Sequence, residues 1–224
     1  MIAKINGKLL QTVNFELHKN ESIYAQTGSF SWMSDNIEMD TNAKGGFFKS
    51  LGRIFTGESF FLTTFRCTSS KGILTLSNRF PGKIIEINLK KGEELIIQKT
   101  AFLAATHGVE LSLHFTKRFG AGLFGGEGFI LQKVKGEGKI WLELSGEVSE
   151  IVLEKDQELK IDTSLIGIFE PSISYNVKFI KGFKNLLFGA EGLFFATLKG
   201  PGKMWLQSTT INNLAKELSR RITK

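Results

Sequence analysis

The stretch RFGAGLFGGEG, Arg118 to Gly128, sets Gly120, Gly122 and Gly125 at the spacing G-x-G-x-x-G. In a dinucleotide-binding protein that spacing cradles a pyrophosphate at a helix N-terminus, between a strand and the helix of a βαβ unit. The chemistry needs the helix. Here the chain continues GEGFILQKVKGEGKIWLEL, and Gly126, Gly128, Gly136 and Gly138 interrupt any helix longer than two turns. Each glycine costs about 1 kcal/mol in a helix interior. Glu143 stands near the distance expected of a ribose-binding acid, but it sits in an apolar alternation. A turn leading into a core strand accounts for the glycines better, because glycine adopts positive φ without steric cost. No cofactor is predicted.

Other reactive side chains are sparse. His18, His107 and His114 lack the short paired spacing of a zinc or metalloprotease motif, so no metal is predicted. The lone cysteine, Cys67, lies in the strand-like run FFLTTFRCTSS and reads as a small core residue. No G-x-S-x-G elbow and no Walker loop occurs. A protein without enzymatic activity is expected, and no catalytic residue is assigned.

Three landmarks recur in one order, at spacings of 64 to 72 residues. LHKNESI, LKKGEEL and LEKDQEL form the first. FTGESFFL, FGGEGFIL and FGAEGLFF form the second and align Glu58, Glu127 and Glu191. SKGILTL, GEGKIWLEL and GPGKMWLQ form the third and align Gly72, Gly138 and Gly202. The chain therefore divides into units 1–78, 79–145 and 146–208, followed by 209–224, with the three units expected to pack as one compact body. What recurs around the glycine loop is apolar–Gly–x–Glu–small–apolar, and the sister copies lack Gly120 and Gly122. The recurring glutamates are expected to bind backbone N–H groups of a turn or a lysine of the next unit; lining repeated ligand sites is the functional alternative. Trp141 and Trp205 are equivalent, whereas Trp32 has no twin.

Within each unit the apolar residues alternate, as in Val13, Phe15 and Leu17, or Val109, Leu111, Leu113 and Phe115. That period places them on one sheet face. With 24 glycines, 20 phenylalanines and three prolines, the composition suits many short strands joined by tight turns. The expected fold class is all-β: three tandem small antiparallel modules and a C-terminal helix. In the tail, Ile211, Leu214, Leu218 and Ile222 form one helical stripe, with a threonine cap at 209 or 210 and basic residues near the C-terminal end. The stripe is expected to dock on the sheets.

The chain has 224 residues and a net charge of +7, and its mean hydropathy is −0.02. No apolar run is long enough for a spanning helix, the start is too polar for a signal peptide, and one cysteine suits a reducing cytoplasm. The positive charge is scattered, as on a solvated surface. Lys139 and Lys203 nevertheless recur in G-x-G-K, beside Lys133, Lys135 and Lys199. They are the candidate contacts for an anion or a nucleic acid, although the first unit has Ile73 there. Phe47, Phe48, Leu51, Ile54 and Phe55, mixed with Lys44, Lys49 and Arg53, make a basic apolar insertion suited to a membrane surface or to a buried interface.

The three glycine-rich motifs, with TGSFSWMSDNIEM and QKTAFLAAT-x-GVEL, resemble the bacterial and archaeal proteins related to the mitochondrial-biogenesis family named for altered inheritance of mitochondria. The resemblance covers nearly the whole chain. It implies three β modules like the subunit of the tryptophan RNA-binding attenuation protein, relatives of a short double-stranded β-helix. It also implies a homotrimer, whose nine modules imitate a nine-membered ring, and it brings no defined molecular activity. Eukaryotic members are associated with organisation of the mitochondrial inner membrane. A closed ring would also remove exposed sheet edges. The expected function is a scaffold or binding protein, with the membrane surface as a possible partner and nucleic acid as the alternative. No small-molecule substrate is identifiable.

Overall fold

The computed structural model describes residues 1–41, 62–117, 128–180 and 193–222. Among them are nineteen strands and one α-helix. After β1 (Ile2–Asn6), a first set of six comprises β2 (Thr12–His18), β3 (Ser22–Gln26), β4 (Phe30–Met33), β5 (Ile37–Asp40), β6 (Leu62–Cys67) and β7 (Lys71–Ser77). A second set follows: β8 (Gly82–Leu89), β9 (Glu94–Gln98), β10 (Phe102–Ala105), β11 (Glu110–Lys117), β12 (Phe129–Lys135) and β13 (Gly138–Ser145). The third set is β14 (Val148–Leu153), β15 (Glu158–Asp162), β16 (Ile166–Phe169), β17 (Ser174–Ile180), β18 (Leu193–Lys199) and β19 (Gly202–Gln207), and α1 (Ile211–Ile222) closes the order.

All ladders are antiparallel, and the pairing order β2-β7-β4 is matched by β8-β13-β10 and by β14-β19-β16. Likewise β5-β6-β3 is matched by β11-β12-β9 and β17-β18-β15. The sets do not keep separate sheets. β3 pairs with β10, and β9 pairs with β16, so each junction carries a continuous six-stranded sheet.

Local chemistry explains the first landmark. Asn20, Gly92 and Asp156 stand in the left-handed region, at φ 70°, 81° and 67°, where Gly, Asn and Asp are the favoured residues. The next side chain then accepts a backbone N–H three residues back. Glu21 Oε2 accepts from His18 N at 2.8 Å, Glu93 Oε2 from Lys90 N at 2.8 Å, and Gln157 Oε1 from Glu154 N at 2.7 Å.

The glycine loop that opened the sequence analysis joins two arms of a hairpin. β11 and β12 pair antiparallel, with Lys117 opposite Phe129. A dinucleotide fingerprint would instead lead from a strand into a helix and on to a parallel strand. The stretches carrying Glu58 and Glu191 occupy the matching places, between β5 and β6 and between β17 and β18. Glu58, Glu127 and Glu191 themselves, and the basic apolar insertion, lie outside the described residues.

The central strands of the shared sheets are buried on both faces. On β13, Trp141 enters the core of Val13, Phe15, Leu17 and Leu74, while Ile140 and Leu142 enter the next core with Leu95 and Leu111. On β9, Ile97 joins that second core and Ile96 the third, with Phe129 and Phe169. A strand buried on both faces has no polar side to show, so runs such as KIWLEL depart from simple alternation. Cys67 is a buried free thiol in the first core, as its strand context predicts.

The terminal helix corrects one expectation. Thr210 caps it, its Oγ1 accepting from Asn213 N at 3.1 Å. The stripe is not docked on this chain's sheets: Ile211, Leu214 and Leu218 are 57%, 44% and 48% exposed.

Candidate functional site

The positions singled out by sequence converge on the ladders between the first and last strands of each set. Gly138 and Gly202 open β13 and β19, and Gly72 is the second residue of β7. A Cβ on any of them would strike the turn before the fourth strand of its set: Ile37 and Asn36 at Gly72, Thr106 and Val109 at Gly138, Ser172 and Ile173 at Gly202. Gly138 and Gly202 also take φ of 142° and 149°. The glycines thus leave room for side chains packed directly against their Cα atoms, and Gly138 and Gly202 also supply the positive φ. The residue that follows accepts a backbone N–H of the same turn at its carbonyl and donates its own N–H to that turn residue's side chain. Ile73 N donates to Ser34 Oγ at 2.9 Å, Lys139 N to Thr106 Oγ1 at 3.0 Å and Lys203 N to Glu170 Oε2 at 2.9 Å.

The side chains of Lys139 and Lys203 are engaged as well. Lys139 Nζ lies 2.6 Å from Glu86 Oε1, and the Trp141 indole N–H donates to Glu86 Oε2 at 3.1 Å. Lys203 Nζ lies 2.6 Å from Glu150 Oε1 and 4.8 Å above the Trp205 ring, whose N–H donates to Glu150 Oε2 at 2.9 Å. The bond from Lys203 holds the Glu150 carboxyl below its ordinary range, helped by the indole. In the first set, with Ile73 in place of lysine, Thr75 Oγ1 bonds Asn14 Oδ1 at 3.1 Å instead. The lysines therefore meet an acid on the neighbouring strand, which offsets the charge a phosphate would need.

Tighter polar constellations lie at the two junctions, and sequence reasoning missed them. At the first, Glu143 is 9% exposed and pairs with Arg79. Arg79 Nε donates to Glu143 Oε1 at 2.6 Å, Arg79 N donates to Oε2 at 3.0 Å, and Arg79 Nη2 donates to Thr100 O at 2.9 Å. Burial pushes the Glu143 carboxyl up, against the pull of Arg79. At the second, Gln207 alone fills both roles. Its Oε1 accepts from Ser145 N at 2.9 Å, and its Nε2 donates to Ser164 O at 2.8 Å and Gln98 Oε1 at 3.2 Å. A carboxylate can only accept, so Glu143 needs Arg79 where Gln207 needs no helper. Arg79, Glu143, Gln98, Gln207, Ser164 and Thr210 surround a cavity of about 220 Å³. The available signal in the sequence was the alignment of Glu143 with Gln207.

The first junction is also locked across the ladder. Tyr24 Oη donates to Val109 O at 2.7 Å, and burial raises the Tyr24 phenol well above its ordinary value. Ser22 Oγ lies 2.9 Å from His107 Nε2. This contact ties β3 to the turn after β10, and burial keeps the His107 imidazole below its usual value, hence neutral near pH 7.

β4 and β15 are different. Their counterparts β10 and β16, and β3 and β9, have a neighbour on each side, whereas β4 and β15 each end a sheet. The β4 edge is apolar: Trp32 is 56% exposed and Phe30 43%. Among the described residues there is no cluster of three or more His, Cys, Asp and Glu suited to a metal. No described helix is long and apolar enough to cross a membrane.

A family model for mitochondrial biogenesis AIM24 matches residues 3–209. An uncharacterised protein of Streptococcus pyogenes serotype M6 is 27% identical over 216 residues, covering 93% of this chain and 85% of its own length. The crystal structure of a Streptococcus pyogenes protein shares the fold with a TM-score of 0.77 at 23% identity, covering 98% of this chain and 99% of that one. With the match running from the first strand to the residue before the cap of the terminal helix, the chain belongs to the mitochondrial biogenesis AIM24 family.

Proposed function

We propose that this protein is a non-catalytic, self-assembling scaffold of the cytoplasm, built from three tandem β units. One observation carries the reading. The chain pairs the second strand of one set with the third strand of the next set twice, and among the described residues leaves one strand of each kind without that junction, at the end of its sheet: β15 and β4. Copies joined head to tail, β15 to β4, repeat that junction between chains. Unpaired edges are otherwise open to aggregation, and a heterologous contact of this kind closes into a ring when its rotation permits. Three chains make the ring that the family resemblance implies. Native mass spectrometry tests it: the expected mass is that of three 25.0 kDa chains, and a monomer at micromolar concentration overturns it. Nucleic-acid binding through Lys139 and Lys203 has less support, because Glu86 and Glu150 already hold both side chains.

The helix supports a second part of the reading, attachment at a membrane surface. α1 leaves Ile211, Leu214 and Leu218 exposed, and residues 209–224 contain Lys216, Arg220, Arg221 and Lys224 against one acid, Glu217. Glu217 accepts from Arg221 at 3.1 Å. An apolar stripe on a basic helix suits the interface of an anionic bilayer. The wild type is expected to float with phosphatidylglycerol-containing vesicles at low salt, and the double variant L214E/L218E is not. Equal behaviour of the two removes this part.

A further inference from the structure

We infer that Trp32 is the residue that seats one copy of the chain on the next, in a register fixed by the two internal junctions; this rests on the head-to-tail reading above. The ladder between the third and sixth strands has the same bulge in every set, and the residues facing each other after it correspond. They are Ala104 and Trp141, Ile168 and Trp205, and Trp32 and Thr75. Each pair holds one tryptophan beside a smaller residue. In the first set the tryptophan has moved across the ladder to the partner strand, which explains why it has no twin in the sequence.

The internal tryptophans point backwards along the chain, into the set before their own. Trp141 of the second set is 0% exposed within the first core. It meets Phe15 edge-on, with ring centroids 4.7 Å apart and planes at 90°. Trp205 of the third set packs against the second core. Residues directly opposite in an antiparallel pair project to the same face, so Trp32 faces as the residue at Thr75's position does. Among the described residues no further set of six strands stands on that side of the first set. The core that Trp32 is placed to cover is the third core of another copy.

The register follows residue by residue. Ala104 faces Ala25 and Ala105 faces Tyr24 at the first junction; Ile168 faces Ile97 and Phe169 faces Ile96 at the second. On the other side of the donor strands, Ala25, Ile97 and Ile161 face Thr63, Gln132 and Ala196 at matching places. Between copies, Trp32 then faces Ile161 and Met33 faces Lys160. The seat includes Ile151, which occupies Phe15's place on the first strand of its set: Asn14 and Glu150 face Thr75 and Trp205. A second copy is the occupant because the chain itself carries both complementary edges, and an exposed tryptophan at the centre of a contact is the expected anchor.

The test uses the full chain. Trp32→Ala is expected to weaken assembly about 100-fold, read as the protein concentration at which light scattering shows half-dissociation. Its far-UV circular dichroism should match the wild type, since Trp32 is exposed within one chain. The register is read separately by mixing Met33→Cys protein with Lys160→Cys protein under mild oxidation. A covalent dimer is expected, and Cys67 does not compete because it is buried. Pairing Met33→Cys with Glu158→Cys should link poorly. A monomeric wild type overturns both the scaffold reading and this one. An oligomeric wild type whose assembly survives Trp32→Ala, or a link at Glu158 in preference to Lys160, overturns the present assignment alone.

Discussion

Replacing Arg79 with alanine should cost the fold about 2–3 kcal/mol at pH 8, and much less at pH 4. Removing one partner of a buried ion pair costs about 3–5 kcal/mol, because the remaining charge is stranded. Arg79 is 34% exposed while Glu143 is 9% exposed, so solvent screens part of the interaction and the lower figure follows. The pH dependence comes from the carboxyl. Burial already holds Glu143 above its ordinary value with Arg79 present, and without Arg79 the folded-state value rises further. The unfolded chain keeps the ordinary glutamate value of about 4.3. Below that value Glu143 is neutral in both states and Arg79→Ala has little charge left to strand. As pH rises through the raised folded-state value, the unfolded state releases its proton first and the penalty develops in full. Urea unfolding at pH 4 and pH 8, at one protein concentration because assembly adds to stability, measures the difference. The double variant R79A/E143Q is the control. An amide at 143 can accept from the backbone N–H at 79 and donate toward the Thr100 carbonyl, as Gln207 does with Ser145 N and Ser164 O. It should return to within about 1 kcal/mol of the wild type. A loss equal at both pH values, or a double variant as weak as Arg79→Ala, would refute the reasoning.

Two further outcomes are expected from the same geometry. Gly138→Ala should lower stability by more than about 2 kcal/mol, since φ is 142° and the new Cβ meets Thr106 and Val109. Gly92→Ala, at φ 81° with nothing within 4 Å, should cost only about 1 kcal/mol; denaturant midpoints that rank the two in the opposite order would contradict the account. Glu86→Ala strands the N–H of the fully buried Trp141 and should cost about 1–3 kcal/mol. Glu150→Ala, beside the partly exposed Trp205, should cost less than half as much by the same assay.

Much of the architecture was legible because it rests on local rules. The alternation of Val13, Phe15 and Leu17 announces a strand with one buried face, and all three are buried. Asn20, Gly92 and Asp156 announce turns that require positive φ. Gly136 and Gly138 argue against a helix after the glycine loop, and the hairpin of β11 and β12 agrees. The helix of the tail was legible from its stripe and cap, but its exposure was not, because periodicity identifies an apolar face without saying what covers it.

The candidate site divides in the same way. The chain's amino-acid order is enough to mark Gly72, Gly138 and Gly202 and to align Lys139 with Lys203, because recurrence is a property of sequence. What these residues do depends on partners far along the chain: the turn that crowds each glycine, and Glu86 and Glu150 on the strand opposite each lysine. Arg79 and Glu143 are 64 residues apart, and Gln98 and Gln207 are 109 apart; only strand pairing brings such groups into contact and removes the water that would mask them. Trp32 shows the limit most clearly. By sequence it stands alone. The register of the ladder sets it opposite Thr75, in the place where the other sets face a small or branched residue with tryptophan. The side-chain types and their period determined strands, turns and helix; the pairing of distant strands decided which side chains meet, which strands are buried on both faces, and that β4 and β15, among the described residues, lack the junction their counterparts make.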